Sequence, residues 1–314
     1  MIYDLIIIGA GPAGTAAGVY ASRKKLKTLL ITYDFGGQSV VSPNIQNWIG
    51  TPSISGSDLA ASFKKHLETY AGDVLTVKEG EKVVSLLKNA LPEQAGDGFS
   101  VITDQNNTYN AKTVLVSAGS GRRKLVAAGA ERFEHKGITY CASCDGPLFE
   151  GQDVAVVGGG NAGFETAAQL LAYAKSVTLL NHSPGFKADP VTVEKVLKNP
   201  KMKAIDNADI LEIKGEKFVE GLVYKNKATG VTKELPVTGI FVEIGQTPNT
   251  GFVKDLLQFD NYGRIKVDPR TQMTGVLGVW AAGDATDGLY HQNNIAAGDA
   301  VRAVENIYLH LHAK

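Results

Sequence analysis

DLIIIGAGPAGTAAGVYASRKKLKTLLIT, residues 4 to 32, decides the fold. A four-residue apolar run, Leu5 to Ile8, is followed by a glycine turn, then a helical pattern from about Ala13 to Arg23. LKTLLIT, Leu26 to Thr32, reads as the next strand. Strand, tight turn, helix, strand is how a doubly wound parallel sheet starts. The turn fits G-x-G-x-x-G at Gly9, Gly11 and Gly14. In that pattern the first glycine permits the tight turn, the second lets a pyrophosphate approach, and the third packs helix on sheet. The amides and dipole at the helix start then hold phosphates. The acid expected about 20 residues on, for a ribose hydroxyl, is best matched by Asp34, because Thr32 and Tyr33 precede it.

The same order returns in DVAVVGGGNAGFETAAQLLAYAKSVTLLN, residues 153 to 181. Its glycine turn is Gly158, Gly160, Asn161 and Gly163, so the chain carries two dinucleotide sites. At the end of the second strand, an acid would select NAD and arginines would select the 2′-phosphate of NADP. The sequence there is Asn181, His182, Ser183, then Lys187. An amide can bond a hydroxyl but cannot neutralise a phosphate, so NADH is favoured over NADPH.

A third landmark, GVLGVWAAGDATDG (275–288), is an apolar strand without a glycine turn of its own. It reads as a late strand added to an existing sheet. If it returns to the first unit, the second unit is an insertion. The crossings are then VSAGSGRR (116–123) and EIGQTPNT (243–250), where a rigid-body rotation could hinge. The expected architecture is α/β, two Rossmann-like three-layer domains with one inserted into the other. Residues 1–118 and 250–314 form one domain and 119–249 the other. NALPEQAGDG (89–98) reads as a hairpin or surface turn.

Composition narrows the function. The 314 residues include 32 Lys plus Arg and 32 Asp plus Glu, so no bulk field steers the chain toward nucleic acid or an anionic membrane. No apolar stretch reaches about 18 residues, and the N-terminus lacks the basic start of a signal peptide. A cytoplasmic, reducing location is expected. The two cysteines, Cys141 and Cys144, are the whole sulfhydryl complement and sit three apart in CASCDG, beside Asp145. A structural disulfide across so short a loop restrains the unfolded chain little. Zinc takes about four ligands, and beyond His135 and Asp145 there is no second cysteine pair. In a reducing compartment the spacing points to a redox dithiol.

Taken in order, GAGPAG, GGQ (36–38), NW (47–48), CASCDG, GGGNAG and WAAGDATDGLYHQ (280–292) resemble the low-molecular-weight thioredoxin reductases over essentially the whole chain. The second half is also similar to the flavoprotein component of alkyl hydroperoxide reductase, which carries an extra N-terminal thioredoxin-like domain. This chain starts at its first strand and is expected to work without that built-in relay. The resemblance implies FAD on the first unit, with Gly36, Gly37, Gln38 and Asn47 along the flavin nucleotide. It also places Asp284 at the ribityl chain, and His291 and Gln292 near the isoalloxazine. The reductases usually carry arginine where His291 stands, and two arginines where His182 and Ser183 stand. Glu165 matches a position implicated in nicotinamide or domain contacts.

The resemblance further implies that Cys144 faces the flavin while Cys141 exchanges with the disulfide of a thioredoxin-like small redox protein. Asp145 is the adjacent acid/base. Related enzymes are homodimers. Within the enzyme class, a peroxiredoxin-system partner, a ferredoxin or flavodoxin donor, and a disulfide-forming oxidase are alternatives. A flavin-bound redox sensor without turnover is the reading from outside it.

Overall fold

The computed structural model describes residues 1–42, 44–90 and 97–313. The chain divides into two compact units: Met1–Pro43, Trp48–Gly121 and Thr247–Lys314 form the first, and Asn44–Asn47 with Arg122–Gln246 form the second.

The first unit opens with β1 (Ile2–Ala10), α1 (Pro12–Arg23) and β2 (Thr28–Phe35). It continues through α2 (Gly56–Ala71), β3 (Leu75–Glu79), β4 (Val83–Ala90), β5 (Asp97–Thr103) and β6 (Thr108–Val116). The strand order is β3-β2-β1-β6-β5-β4. β1 pairs in parallel with both β2 and β6, Ile6 standing opposite Leu29 on one side and Val114 on the other. β4 and β5 pair antiparallel, and residues 91–96 of the segment 89–98 expected as a hairpin or surface turn lie outside the described residues.

A central parallel strand is covered on both faces, which is why Leu5–Ile8 is uninterrupted apolar sequence. Leu5 and Ile7 join the core under α1, while Ile6 and Ile8 join the core on the opposite face. The helix is lined with small residues. Ala13, Ala17 and Ala21, four apart and so on one face, are buried in the Leu5–Ile7 core. Gly18 is pressed so close to α2 that a Cβ there would sit 2.4 Å from Leu67 Cδ1.

The second unit contains β8 (Ile138–Thr139), the short helix α3 (Ala142–Asp145), β9 (Asp153–Val157), α4 (Asn161–Leu170) and β10 (Ser176–Leu180), with β7 (Ser120–Arg122) leading into it. Then come α5 (Pro190–Leu197), β11 (Met202–Ile205), β12 (Ala208–Gly215), β13 (Val219–Asn226), β14 (Thr232–Leu235) and β15 (Gly239–Val242). Five parallel strands run in the order β11-β10-β9-β15-β8, and β12-β13-β14 form an antiparallel sheet beside them.

The chain leaves through β16 (Gln246–Pro248), which pairs with β7. It re-enters the first sheet as β17 (Val279–Ala281), with Val279 to Ala281 opposite Val114 to Val116 of β6. The late strand expected over 275–288 is therefore three residues long and belongs to the first unit. Trp280 fixes it there. Its ring is fully buried and its indole N–H donates to Asn306 Oδ1 at 3.0 Å on α6 (Asn293–His312).

Candidate functional site

In the first unit the glycine turn is built as its spacing implies. Gly9 has φ +101°, and a Cβ there would meet the Ser117 carbonyl oxygen at 2.5 Å. A Cβ on Gly14 would lie 1.7 Å from the Gly9 oxygen, which is the close packing of helix on turn. At Gly11, by contrast, the nearest atom is the Gly37 Cα at 3.9 Å. That open side, at an N-terminus with no side-chain cap and Pro12 in the first turn, faces a cavity of about 420 Å³.

The cavity is lined by Gly9, Gly11, Asp34, Gly37, Gln38 and Asp284, among others. β2 runs three residues past the expected Thr32, so Asp34 is carried on the strand itself. Thr32 holds that end, its hydroxyl donating to the Asp34 carbonyl. Gly36 (φ +93°) and Gly37 (φ +64°) turn the chain into a 3-10 segment, Gly37–Val41. Gln38 Nε2 donates to Asp284 Oδ2 at 3.2 Å, closing the cavity between residues 246 positions apart.

Asn47, His291 and Gln292 do not line this cavity. Asn47 falls in the short segment grouped with the second unit, and Gln292 is the N-cap residue of α6. His291 Nε2 is buried with no hydrogen-bond partner among the described residues.

Among the other lining residues, no motif in the sequence pointed to Ser117 or Glu81. The Ser117 hydroxyl lies 2.9 Å from the Ile8 carbonyl oxygen and 3.1 Å from that of Gly9, sharing its one proton between them and bracing the turn. Buried Glu81 accepts from the hydroxyls of Thr103 (2.9 Å) and Tyr109 (3.1 Å). Burial and this bond to Glu81 push the Tyr109 hydroxyl up to about 12. Ser117 sits in the small-residue run after β6, a visible signal. Glu81 has no motif around it.

In the second unit a Cβ on Gly158 (φ +133°) would fall 2.1 Å from the Glu243 carbonyl, and one on Gly163 2.0 Å from the Gly158 carbonyl. Gly160, the N-cap of α4, is open, with nothing within 4 Å. Asn161 Oδ1 accepts from the Asp189 amide at 2.7 Å. Glu165 is exposed on α4.

After β10 the chain curls back on the turn: the Lys187 amide donates to Gly159 O at 2.8 Å. Asn181 is largely buried, its Nδ2 donating to the carbonyls of Ser183 and Gly185. Gly159, unremarked in the sequence, is what admits Asn181, since a Cβ there would meet its Cγ at 2.4 Å. Exposed His182 lies with Nδ1 3.3 Å from Asp209 Oδ1, and Asp206 accepts from the Gly185 amide at 3.1 Å.

Cys141 and Cys144 are joined as a disulfide, Cα to Cα 5.3 Å. Cys141 is the N-cap of α3, and its Sγ accepts from the Cys144 amide at 3.2 Å. A sulfur so placed is better stabilised as a thiolate than one in water. Asp145 Oδ2 accepts from the Thr139 hydroxyl, while Oδ1 is buried without a partner among the described residues. Burial raises the Asp145 carboxyl above its ordinary range, with the Thr139 hydroxyl, His135 and Arg122 pulling the other way. An unpartnered buried oxygen suits the protonated acid. Among the described residues no group of three or more His, Cys, Asp or Glu is arranged to hold a metal, and no helix is long and apolar enough to cross a membrane.

Two glycine turns each open a helix, one per unit, and a closed cysteine pair stands beside a half-buried acid. The chain belongs to the pyridine nucleotide-disulphide oxidoreductase family, whose pattern matches residues 3–300. It is 37% identical over 303 residues to the F component of alkyl hydroperoxide reductase from Escherichia coli (strain K12), covering 96% of this chain and 57% of that protein. It is 36% identical over 301 residues to a protein named NADH dehydrogenase from Bacillus subtilis (strain 168), with the same 96% and 57% coverage. The chain thus spans little more than half the length of these relatives.

Among solved structures, thioredoxin reductase from Streptococcus pyogenes MGAS5005 matches with a TM-score of 0.88 at 33% identity, covering 100% of this chain and 99% of that one. Thioredoxin reductase from Giardia duodenalis matches with a TM-score of 0.88 at 31% identity, covering 98% of each chain. The fold is that of the thioredoxin reductases. Membership implies FAD and a pyridine nucleotide as cofactors. The first cavity fits a flavin dinucleotide on its own geometry: an uncapped helix start, an open Gly11, and acids at Asp34 and Asp284 for sugar hydroxyls.

Proposed function

We propose that the chain is an FAD-dependent disulfide reductase that takes electrons from NAD(P)H, with NADH preferred, and delivers them through Cys141–Cys144 to the disulfide of a thioredoxin-like protein. The observation that carries it is the closed Cys141–Cys144 pair at the start of α3, followed in the chain by the half-buried Asp145. FAD in the first cavity would supply a two-electron carrier able to exchange hydride with a nicotinamide and an electron pair with a disulfide.

We assign the flavin to residues 1–118 and 250–314, held by Gly9, Gly11, Gly14, Asp34, Gly36, Gly37, Gln38 and Asp284, with Asn47, His291 and Gln292 as further contacts. Residues 119–249 take the nicotinamide dinucleotide through Gly158, Gly160, Asn161 and Gly163, with Glu165, Asn181, His182 and Lys187 around it. Cys144 is the sulfur assigned to the flavin side.

The outward step uses only the chain's own groups. In the reduced pair, the Cys141 thiolate attacks the partner's disulfide, forming a mixed disulfide and releasing one partner thiolate. Asp145 gives that thiolate a proton. The Cys144 thiolate then attacks Cys141 Sγ, closing the intramolecular disulfide and releasing the second partner sulfur as a thiolate, which takes its proton from solvent. The partner gains two electrons and ends as a dithiol, and the pair ends oxidised.

NADH preference is supported by the groups around the loop after β10. Asp206 and Asp209 present carboxylates to residues 182–185, which disfavours a 2′-phosphate. Lys187 is that loop's one basic residue besides His182. The name of the Bacillus subtilis relative points the same way. The test is steady-state turnover with each nicotinamide on the FAD-loaded protein, with a thioredoxin as acceptor. NADH should give the higher kcat/KM; a higher value with NADPH overturns the preference, and no reoxidation by the thioredoxin overturns the acceptor.

The resemblance to alkyl hydroperoxide reductase favours a second acceptor, a dithiol component of a peroxide-reducing system. That acceptor belongs in the same assay as a parallel arm. We further expect a homodimer working in a reducing compartment such as the cytoplasm.

A further inference from the structure

The residue that follows β15 is a glutamate, and its position gives it a role no motif announces. In an open parallel sheet the ligand crevice lies beyond the carboxyl ends of the strands, where the strand order reverses. In the second unit that point is between β9 and β15, since the chain runs outward from β9 through β10 to β11 on one side and has β15 on the other. A dinucleotide with its pyrophosphate on the Gly158–Gly163 turn therefore has two halves pointing opposite ways. By that rule the adenosine half would lie over β10, toward Asn181, and the nicotinamide half over β15, whose next residue is Glu243.

Glu243 is built into the turn itself. Its carbonyl is the atom a Gly158 side chain would strike at 2.1 Å, and its amide donates to Val157 O at 2.7 Å. Its carboxylate is held from α4, where the Thr166 hydroxyl donates to Oε1 at 2.8 Å. The charged groups facing it are Arg122, at the entry to the unit, and Glu165, one residue before Thr166.

We propose that the Glu243 carboxylate faces the nicotinamide ring and reads its charge, binding the oxidised cofactor in preference to the reduced one. A nicotinamide that has lost a hydride carries one positive charge; the dihydro form is neutral. An anion fixed beside the ring stabilises the first and not the second. The bound couple is thereby biased toward hydride release, and Glu243 acts by Coulomb attraction without touching the hydride.

The geometry also sets a pH dependence. Burial raises the Glu243 carboxyl above its ordinary range and Glu165 adds to the shift, while the Thr166 hydroxyl and Arg122 oppose it. The oxidised cofactor binds the ionised form, so its binding expels a proton from the fraction of Glu243 still protonated. Affinity for the oxidised cofactor rises as pH climbs through that raised value, and affinity for a neutral-ring cofactor does not.

This inference rests on the reading that the second unit binds a nicotinamide dinucleotide, and the test separates the two. Calorimetry on the full-length, FAD-loaded, disulfide-closed protein compares NAD+, its neutral-ring 1,4,5,6-tetrahydro analogue and ADP-ribose. The 2′-phosphorylated set is run in parallel. We expect Glu243→Gln to weaken NAD+ about tenfold, with the tetrahydro analogue and ADP-ribose within about twofold of the parent.

Glu243→Asp should restore part of the preference, which a purely structural defect would not allow. Thr166→Val, which removes the hydroxyl but no charge, should move the pH dependence of NAD+ affinity upward. Unchanged NAD+ affinity in Glu243→Gln, or equal loss for all three ligands, overturns the charge-reading role. Failure of ADP-ribose and of its phosphorylated form to bind the parent protein overturns the dinucleotide reading beneath it.

Discussion

Gly158 and Gly160 stand two residues apart in one turn, yet their replacement by alanine should do opposite things. At Gly158 the backbone has φ +133°, a region closed to side chains, and the new Cβ would fall 2.1 Å from the Glu243 carbonyl. Backbone strain of about 1–3 kcal/mol and overpacking of about 1–3 kcal/mol combine to a loss of about 4 kcal/mol. At Gly160 the φ is −92° and nothing lies within 4 Å of the added carbon. Its folding cost is only that of alanine for glycine at an N-cap, about 0.5–1 kcal/mol.

The assignment proposed for this turn brings a pyrophosphate to the open side of Gly160, so the methyl group should weaken ADP-ribose at least about tenfold, about 1.4 kcal/mol. Urea unfolding reads the first quantity and calorimetry with ADP-ribose the second. Two variants of equal stability would refute the packing argument. A Gly160→Ala protein that binds ADP-ribose like the parent would refute the assignment of the turn.

Other outcomes follow from the same geometry. Cys144→Ser should abolish reduction of a protein disulfide while NADH still bleaches the flavin, read anaerobically by absorbance; loss of both contradicts the division of labour. Asp145→Asn should lower kcat for disulfide reduction by about 100-fold, with flavin reduction by NADH unchanged. Asp145 also shapes stability. Its folded-state value lies above the ordinary 3.8 because of burial, so the native state holds the proton more tightly than the unfolded chain does. Its contribution is present below the ordinary value and is lost as pH rises through the raised one. Urea midpoints of the oxidised protein should therefore fall less between acid and neutral pH in Asp145→Asn than in the parent. Replacing Asp206 and Asp209 together by lysine should move the NADH-to-NADPH ratio of kcat/KM toward NADPH, and an unmoved ratio places selectivity elsewhere.

The fold was legible where local rules and tertiary structure agree. Leu5–Ile8 is apolar throughout because β1 is buried on both faces, and each glycine turn is glycine-rich because a Cβ would strike a backbone oxygen. The overrun of β2 past Thr32 was hidden because Tyr33 and Asp34 break the apolar run while the strand continues as far as Phe35, opposite Ala10. The cysteine pair stood out by its spacing, with Asp145 next to it in the chain. The burial that raises the Asp145 carboxyl and the Thr139 hydroxyl that opposes it were not legible there, since they depend on how β8 and α3 pack. Glu81 and Glu243 illustrate the remaining gap. Each is a lone acid in an unremarkable string, and only the sheet order places one at the first cavity and the other at the switch point of the second sheet.

The central claim is that electrons entering from a nicotinamide leave through Cys141 and Cys144. The most direct measurement is anaerobic titration of the FAD-loaded protein with NADH, followed by alkylation and mass spectrometry of the peptide spanning residues 141 and 144. The account predicts that both cysteines become alkylated in step with NADH consumed, and that added thioredoxin disulfide closes them again. A protein whose flavin is fully reduced while Cys141 and Cys144 remain joined would contradict it.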